Sequence, residues 1–247
     1  MFSFFKKDSK HHKLDLSALR VDMHSYLVPG IDDGSKNLSD SLLLIKGLQE
    51  IGYRKLVTTP HIMTDLYPNN RQTIFAGLGD LKSELAKQEF VIEITAAAEY
   101  YLDDYFDSLL VNNIPLLTIS SNLVLVEFSF VSTPLNFKAK LFEMQIKGYQ
   151  PVLAHPERYL YFGKNKHQYE ELKSIGCLFQ VNLLSFAGYY GKGPQEIAHY
   201  LLEKQYIDLL GSDMHHERHL NVLRNSSFIM ESVNKLLDSG KIMNPSI

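Results

Sequence analysis

The sequence predicts a single-domain α/β barrel of parallel strands, and three observations carry that reading. Short β-rich runs alternate with amphipathic helical runs after residue 18, the rhythm of parallel strands joined by crossover helices. About seven such units fit into the chain, which at this length points to a closed or nearly closed (β/α) barrel, with an open doubly wound sheet as the alternative. No linker, low-complexity tract or internal repeat marks a second domain, so residues 1–18 read as a flexible tail and residues 19–247 as one domain.

The elements follow in order. Residues 19–23 read as the first strand. Asn37 or Ser39 can cap the next helix, in which Leu42, Leu43, Ile45, Lys46 and Leu48 run to a stop at Gly52. Residues 55–59 are expected as strand, 70–87 as helix, 91–97 as strand and 123–128 as strand. The stretch 100–121, with Asn112, Asn113 and Pro115, reads as an elaborated connection. Pro134 suits the first turn of a helix ending near Gly148. The second half continues with strand 151–154, helix 166–175, strand 178–182, helix 194–204, strand 207–210 and helix 220–239. Apolar helix positions such as Leu42, Ile45, Leu201 and Leu202 belong to the core.

Composition excludes several function classes. The 247 residues, 45% hydrophobic and 21% charged, suffice for one full core. A formal charge of -3 from 25 basic and 28 acidic residues offers no broad basic surface, which argues against nucleic acid as a principal partner. The single cysteine, Cys177, lies in an apolar run and reads as a buried reduced thiol of a cytoplasmic protein. The opening Met1-Phe2-Ser3-Phe4-Phe5-Lys6-Lys7 reverses the charge order of a secretory signal, and no apolar run reaches membrane-spanning length, so no integral membrane segment is expected. Weak contact of that tail with a membrane surface is the alternative. His11 and His12 in the same lead-in read as solvated, and an oligomer is left open.

The functional signal is positional. His24 follows the first strand, His61 the second and Glu99 the third; Glu127 ends the fourth; His155 follows the fifth; Asp213 and His215 follow the last. In a parallel barrel those strand ends converge on one face, where active sites are built. Taken singly, a histidine after a strand is more often a hydrogen-bonded loop residue than a ligand. Glu99 and Glu127 weigh more, because a carboxylate among apolar neighbours is costly to bury unless paired or metal-bound. Nitrogen and carboxylate donors without thiolates favour ions such as Mn, Fe or Zn over a structural cysteine site. His167 and His199 fall in expected helices, and His216 and His219 flank the Asp213 motif; none is assigned as a ligand. No phosphate-cradling glycine loop appears.

Asp22-Met23-His24-Ser25-Tyr26-Leu27-Val28-Pro29-Gly30-Ile31-Asp32-Asp33-Gly34, then Thr58-Thr59-Pro60-His61, Ala98-Glu99-Tyr100, Val126-Glu127-Phe128, Leu153-Ala154-His155-Pro156-Glu157-Arg158-Tyr159 and Gly211-Ser212-Asp213-Met214-His215 carry a resemblance. In this order they resemble the bacterial capsular-polysaccharide tyrosine phosphatases of the polymerase-and-histidinol-phosphatase (PHP) superfamily. The Pro-Gly-Ile-Asp-Asp-Gly and His-Pro-Glu-Arg-Tyr strings are not shared by PHP domains generally. The resemblance implies a distorted, TIM-like (β/α)7 barrel of the PHP type. It further implies a trinuclear, usually manganese-responsive centre whose bridging hydroxide attacks phosphotyrosine on a kinase that controls capsule or exopolysaccharide export.

Carried over residue by residue, the resemblance implies His24, Glu99 and Asp213 as ligands of a first ion. It implies Glu99, Glu127 and His155 for a second, and Asp33, His61 and His215 for a third. Two or three divalent ions are therefore expected, manganese foremost, with iron or zinc as alternatives. Arg158 matches a phosphate-binding arginine and Arg218 a second one, while Asp213 or a neighbouring histidine would assist proton transfer. The substrate would be the tyrosine-phosphorylated tail of a protein kinase. A small-molecule phosphatase, such as a histidinol-phosphate hydrolase, is the alternative enzyme.

One position departs from the pattern: Tyr26 stands where a His-x-His pair would have its second histidine. Three outcomes follow. Tyr26 ligates metal directly, the first site is weakened, or it is empty and the chain is a pseudophosphatase that only binds. The weakened site is preferred among them, because losing a ligand or its support costs metal affinity ~10- to 100-fold while every other mapped position keeps a suitable donor.

Overall fold

The computed structural model describes residues 14–247. The apolar lead-in, with His11 and His12, lies outside the described residues. Part of the expected tail is packed: Leu14 and Leu16 are buried, and the Leu16 amide donates to the Ile51 carbonyl at 2.7 Å. The folded domain therefore begins before residue 19.

All strand pairing within the ladders is parallel. One ladder joins β1 (Val21–Asp22), β2 (Lys55–Thr58) and β4 (Glu93–Ala96); the other joins β3 (His61–Ile62), β5 (Glu99–Tyr101), β6 (Leu123–Glu127), β7 (Gln150–Ala154), β8 (Leu178–Asn182) and β9 (Leu209–Gly211). β3 continues the line of β2 past Pro60, and β5 continues β4 past Ala97 and Ala98. The bonds from Ala97 N to Thr58 O (2.9 Å) and from Glu99 N to Pro60 O (3.1 Å) carry the pairing across both breaks. A parallel bridge between Ser25 and Met214 then joins the first line to the last. The nine described segments thus trace seven lines of a distorted, closed (β/α) barrel, as the sequence predicts.

Helices cover the outside. Asn37 caps α1 (Leu38–Glu50), and an Asn70–Thr73 capping box starts α2 (Arg71–Lys87). The connection expected at 100–121 contains α3 (Asp104–Val111), capped by Asp103. α4 (Phe137–Ile146) starts after Asn136, which takes a left-handed conformation (φ 56°), so Pro134 precedes the helix instead of opening it. Short α5 (Leu160–Gly163) and α7 (Leu183–Phe186) flank α6 (His167–Ser174), and α8 (Lys192–Glu203) follows. The single helix expected at 220–239 is two, α9 (Glu217–Arg224) and α10 (Met230–Asp238). Between them the side chains of Asn225 and Ser226 bond back to the Asn221 and Val222 carbonyls, and such residues compete with continued helix. Among the described residues no helix is long and apolar enough to cross a membrane.

Period-two alternation divides the core. Val21 and Met23, Leu123 and Leu125, and Val152 and Ala154 belong to an inner cluster, while Val124, Val126, Leu153 and Phe179 pack in the outer cluster with the helices. Glu127 continues the inward register of Leu123 and Leu125, and Glu99 that of Ala97. Cys177 is buried, and burial pushes its thiol up to about 12, so it is an inert core residue.

Gly47 and Gly79 offer a paired test of packing. A Cβ on Gly47 would lie 2.2 Å from Leu220 Cδ2, whereas one on Gly79 meets nothing within 4 Å. Gly47→Ala should destabilise by ~1–3 kcal/mol despite alanine's better helix propensity, and Gly79→Ala should stabilise by up to ~1 kcal/mol, measured by urea denaturation.

Candidate metal centre

The strand ends bring all nine expected residues together: seven donors and the exceptional Tyr26 gather around the buried carboxylate of Glu99. Glu99 is fully buried at the start of β5. Its Oε1 lies 3.5 Å from His24 Nε2 and 3.3 Å from His155 Nε2; its Oε2 lies 3.0 Å from His61 Nδ1. His24 Nε2 is 3.6 Å from Asp213 Oδ1, and His155 Nε2 is 3.5 Å from Glu127 Oε1. On the open side Asp33 Oδ1 is 3.4 Å from His61 Nε2 and 3.8 Å from His215 Nε2. Asp32 ties this loop to the barrel, accepting from the His61 amide at 3.2 Å and the Gly34 amide at 3.0 Å.

Three sets of donors are close enough to hold ions: His24, Glu99 and His155; His61, Glu99 and Glu127; Asp33, His61 and His215. Their chemistry fits divalent cations. Glu99 Oε1 and Asp213 Oδ1 are buried without a hydrogen-bond partner among the described residues, an arrangement that costs free energy unless a cation satisfies it. The donors are imidazole and carboxylate with no thiolate, the set suited to manganese, iron or zinc.

Glu99 also governs the electrostatics. Burial alone would raise its carboxyl, but the facing His24, His155 and His61 outweigh burial and hold it well below the carboxylate range. Burial disfavours charge on His24, yet Glu99 and Asp213 push it up to about 9. Glu127 rises to about 8 because it is buried beside Glu99. His155 falls to about 4 through burial and the nearby Arg158 charge. Burial and Glu99 together keep the Tyr26 phenol well above its ordinary range. Asp213 is held low: burial opposes its charge, but His215, His24 and Arg158 prevail.

A chain of amides aims these groups. Gln180 Oε1 accepts from His24 Nδ1 at 2.7 Å, Gln180 Nε2 donates to Asn182 Oδ1 at 2.9 Å, and Asn182 Nδ2 donates to Asp213 Oδ2 at 2.6 Å. His24 therefore carries a proton on Nδ1 and turns Nε2 toward Glu99. Arg158 Nη1 (3.0 Å) and the Tyr190 hydroxyl (3.1 Å) donate to the same Asp213 oxygen, which leaves Oδ1 facing His24. The Arg158 guanidinium is sandwiched 4.6 Å from the Phe130 ring centroid and 4.4 Å from that of Tyr190. His155 (φ 33°) and Asp213 (φ 51°) both hold left-handed backbone conformations, uncommon for non-glycine residues and here met inside the buried cluster.

Gln180, Asn182 and Tyr190 are absent from the sequence-derived site. The first two had a legible signal: they alternate with Phe179 and Val181 on β8, so both amides face the barrel interior. Tyr190 sits in a loop and had none. Arg218 is exposed on α9, 5.6 Å from the Tyr189 ring centroid, and makes no ion pair among the described residues. His167 and His199 are exposed on helices; the His216 side chain caps α9, and His219 Nδ1 lies 3.1 Å from the Asp213 carbonyl oxygen.

Fold and donor set together define a class, the (β/α) barrels that gather histidines and carboxylates at the strand ends. Within it, residues 20–235 match the family described as capsular polysaccharide synthesis, CpsB/CapC, and the chain belongs to that family. The tyrosine-protein phosphatase YwqE of Bacillus subtilis is 26% identical over 201 residues, 81% of this chain and 79% of that protein. The tyrosine-protein phosphatase CpsB of Streptococcus agalactiae is 30% identical over 201 residues, 79% of this chain and 82% of that one. Crystallography of YwqE and of Streptococcus pneumoniae CpsB, described as metal-dependent tyrosine phosphatases, provides a structure that superposes with a TM-score of 0.78 at 26% identity, covering 85% of this chain and 86% of that chain.

Glu157 gives the site a pH signature. It is buried, accepts from Asn182 N (2.9 Å) and Ser185 Oγ (2.6 Å), and burial raises its carboxyl from 4.5 to about 7. Between those values the folded chain keeps a proton that the unfolded chain has released, so stability falls as pH rises across the window. Glu157→Gln, which can still accept both bonds, should remove up to ~3 kcal/mol of this dependence at 1.36 kcal/mol per unit. Thermal denaturation on either side of the window checks it: a variant whose melting temperature tracks the parent at every pH contradicts the assignment.

Proposed function

We propose that this chain is a cytoplasmic metal-dependent protein-tyrosine phosphatase whose substrate is the phosphorylated tail of a bacterial tyrosine kinase that controls capsule or exopolysaccharide synthesis. One observation carries the reading: buried imidazoles and carboxylates converge on Glu99 beside an oriented arginine, in a chain whose relatives are named tyrosine-protein phosphatases. In this reading the ions take their ligands from among His24, Asp33, His61, Glu99, Glu127, His155, Asp213 and His215, with manganese preferred. Bound divalent ions supply activated water at neutral pH and offset charge on phosphate oxygens.

The chain's own groups do the rest. Arg158, flattened between Phe130 and Tyr190 and tied to Asp213 through one nitrogen, presents its remaining N–H groups to the phosphoryl oxygens. Asp213 stays ionised and orients both Arg158 and the ligand cluster. Arg218, farther out on α9, serves as a peripheral contact. A phenolate departs at an intrinsic pKa of ~10, so a tyrosyl leaving group needs less help from a proton donor than an alkyl alcohol does. Phe130, stacked 5.5 Å from His155, leads into exposed Val131 and Leu135, a rim suited to an aromatic ring and its peptide.

A second reading, a phosphotyrosine-binding protein without turnover, is favoured by Tyr26, whose hydroxyl engages Glu99 and His24. Hydrolysis of a phosphotyrosyl kinase-tail peptide in Mn²⁺, against a chelated blank, separates the two. Manganese-dependent phosphate release is expected, with Arg158→Ala lowering kcat/KM by ~100-fold or more, the scale of losing one charge-stabilising donor. Peptide binding without release would carry the second reading instead.

A further inference from the structure

Tyr26 is fully enclosed by the ligand cluster. Its ring centroid lies 4.6 Å from that of His61 and 4.0 Å from that of His215, and its relative exposure is 1%. The hydroxyl donates to Glu99 Oε2 and lies 2.9 Å from His24 Nε2. One oxygen thus engages two groups that the metal reading assigns as ligands of a single ion. The side chain has no room to withdraw: the Tyr26 amide donates to Met214 O at 2.9 Å, its carbonyl accepts from Ser35 N at 3.1 Å, and a Cβ on Gly34 would lie 2.3 Å from Tyr26 Cβ.

The lengths of the two side chains explain the position of the oxygen. An ion bound through histidine Nε2 sits ~2.1 Å beyond that nitrogen. A phenol is longer than an imidazole by a comparable amount, so a tyrosine at the same backbone position puts its oxygen where the ion of a histidine would be. The direct bond from the hydroxyl to Glu99 occupies the space that an ion joining Glu99 to His24 needs.

We propose that the Tyr26 hydroxyl replaces one divalent ion, so that this centre holds two ions instead of three. The inference rests on the metal-centre reading above and sharpens it. The remaining donors divide into Asp33, His61 and His215 on one side, and Glu99, Glu127 and His155 on the other. Tyr26 supplies the lost ion's structural role by bridging Glu99 and His24 through hydrogen bonds. It supplies no positive charge, which sets this chain apart from one with histidine at that position.

The test is metal stoichiometry, which needs no turnover. Folded protein is loaded with Mn²⁺, desalted and analysed by inductively coupled plasma mass spectrometry, alongside Tyr26→His. Two ions per wild-type chain and three per folded Tyr26→His chain are expected. A parallel wild-type sample loaded with Fe(III) should lack the visible charge-transfer absorption of a tyrosinate ligand, a readout independent of whether the variant folds. Any wild-type count other than two, a tyrosinate band, or two ions in folded Tyr26→His overturns the inference. A wild-type count of zero overturns the metal-centre reading as well, whereas three leaves that reading standing.

Discussion

The ionised, fully buried carboxylate of Glu99 is the constraint on which the rest of the site depends. A carboxylate without water is costly, and only paired charge or hydrogen bonding makes it tolerable. Three imidazoles and a phenol surround it here. Glu99 is placed there by the barrel itself. β4 and β5 lie on one line, the inward register passes from Ala97 to Glu99, and parallel neighbours deliver His61 and Glu127 beside it. The Glu99 charge raises His24 and Glu127, whereas His155 and Asp213 answer to their own burial and to Arg158.

Rigidity comes from groups that touch no candidate ion. Gln180 and Asn182 run a hydrogen-bonded line from His24 to Asp213 across the barrel floor of the cleft, fixing the tautomer of one and the free oxygen of the other. Arg158 and Tyr190 close the same oxygen from the rim. The left-handed backbone at His155 and Asp213 is sustained by this surrounding network, so local strain is exchanged for donors aimed at one volume. Donors held in this way need no rearrangement before they act, which is what preorganisation contributes to catalysis.

The order of elements and most of the ligand-type residues were legible in the sequence, because both rest on local rules. Period-two runs such as 123–127 and 178–182 identify strands, Asn37 and Asn70 identify helix starts, and a parallel barrel puts residues after its strands on one face. The misses were also physical. α9 and α10 read as one helix in sequence, and the break falls at Asn225 and Ser226, whose side chains bond back to the preceding turn. Leu14 and Leu16 looked like part of a tail because the groups that bury them, including Ile51, lie far along the chain.

What the sequence determined by itself was the composition of the centre: which histidines, carboxylates and arginine are available, and that Tyr26 breaks the His-x-His pattern. What only the tertiary structure decided was their arrangement. It separates Arg158, in contact with Asp213, from Arg218, exposed against the Tyr189 ring, and it brings Gln180 from 156 positions along the chain to His24. It also sets the Tyr26 oxygen between Glu99 and His24. The reason is that side-chain chemistry is a property of each residue, whereas distance within a closed barrel is set by strand register and by the packing that leaves a buried group no alternative partner.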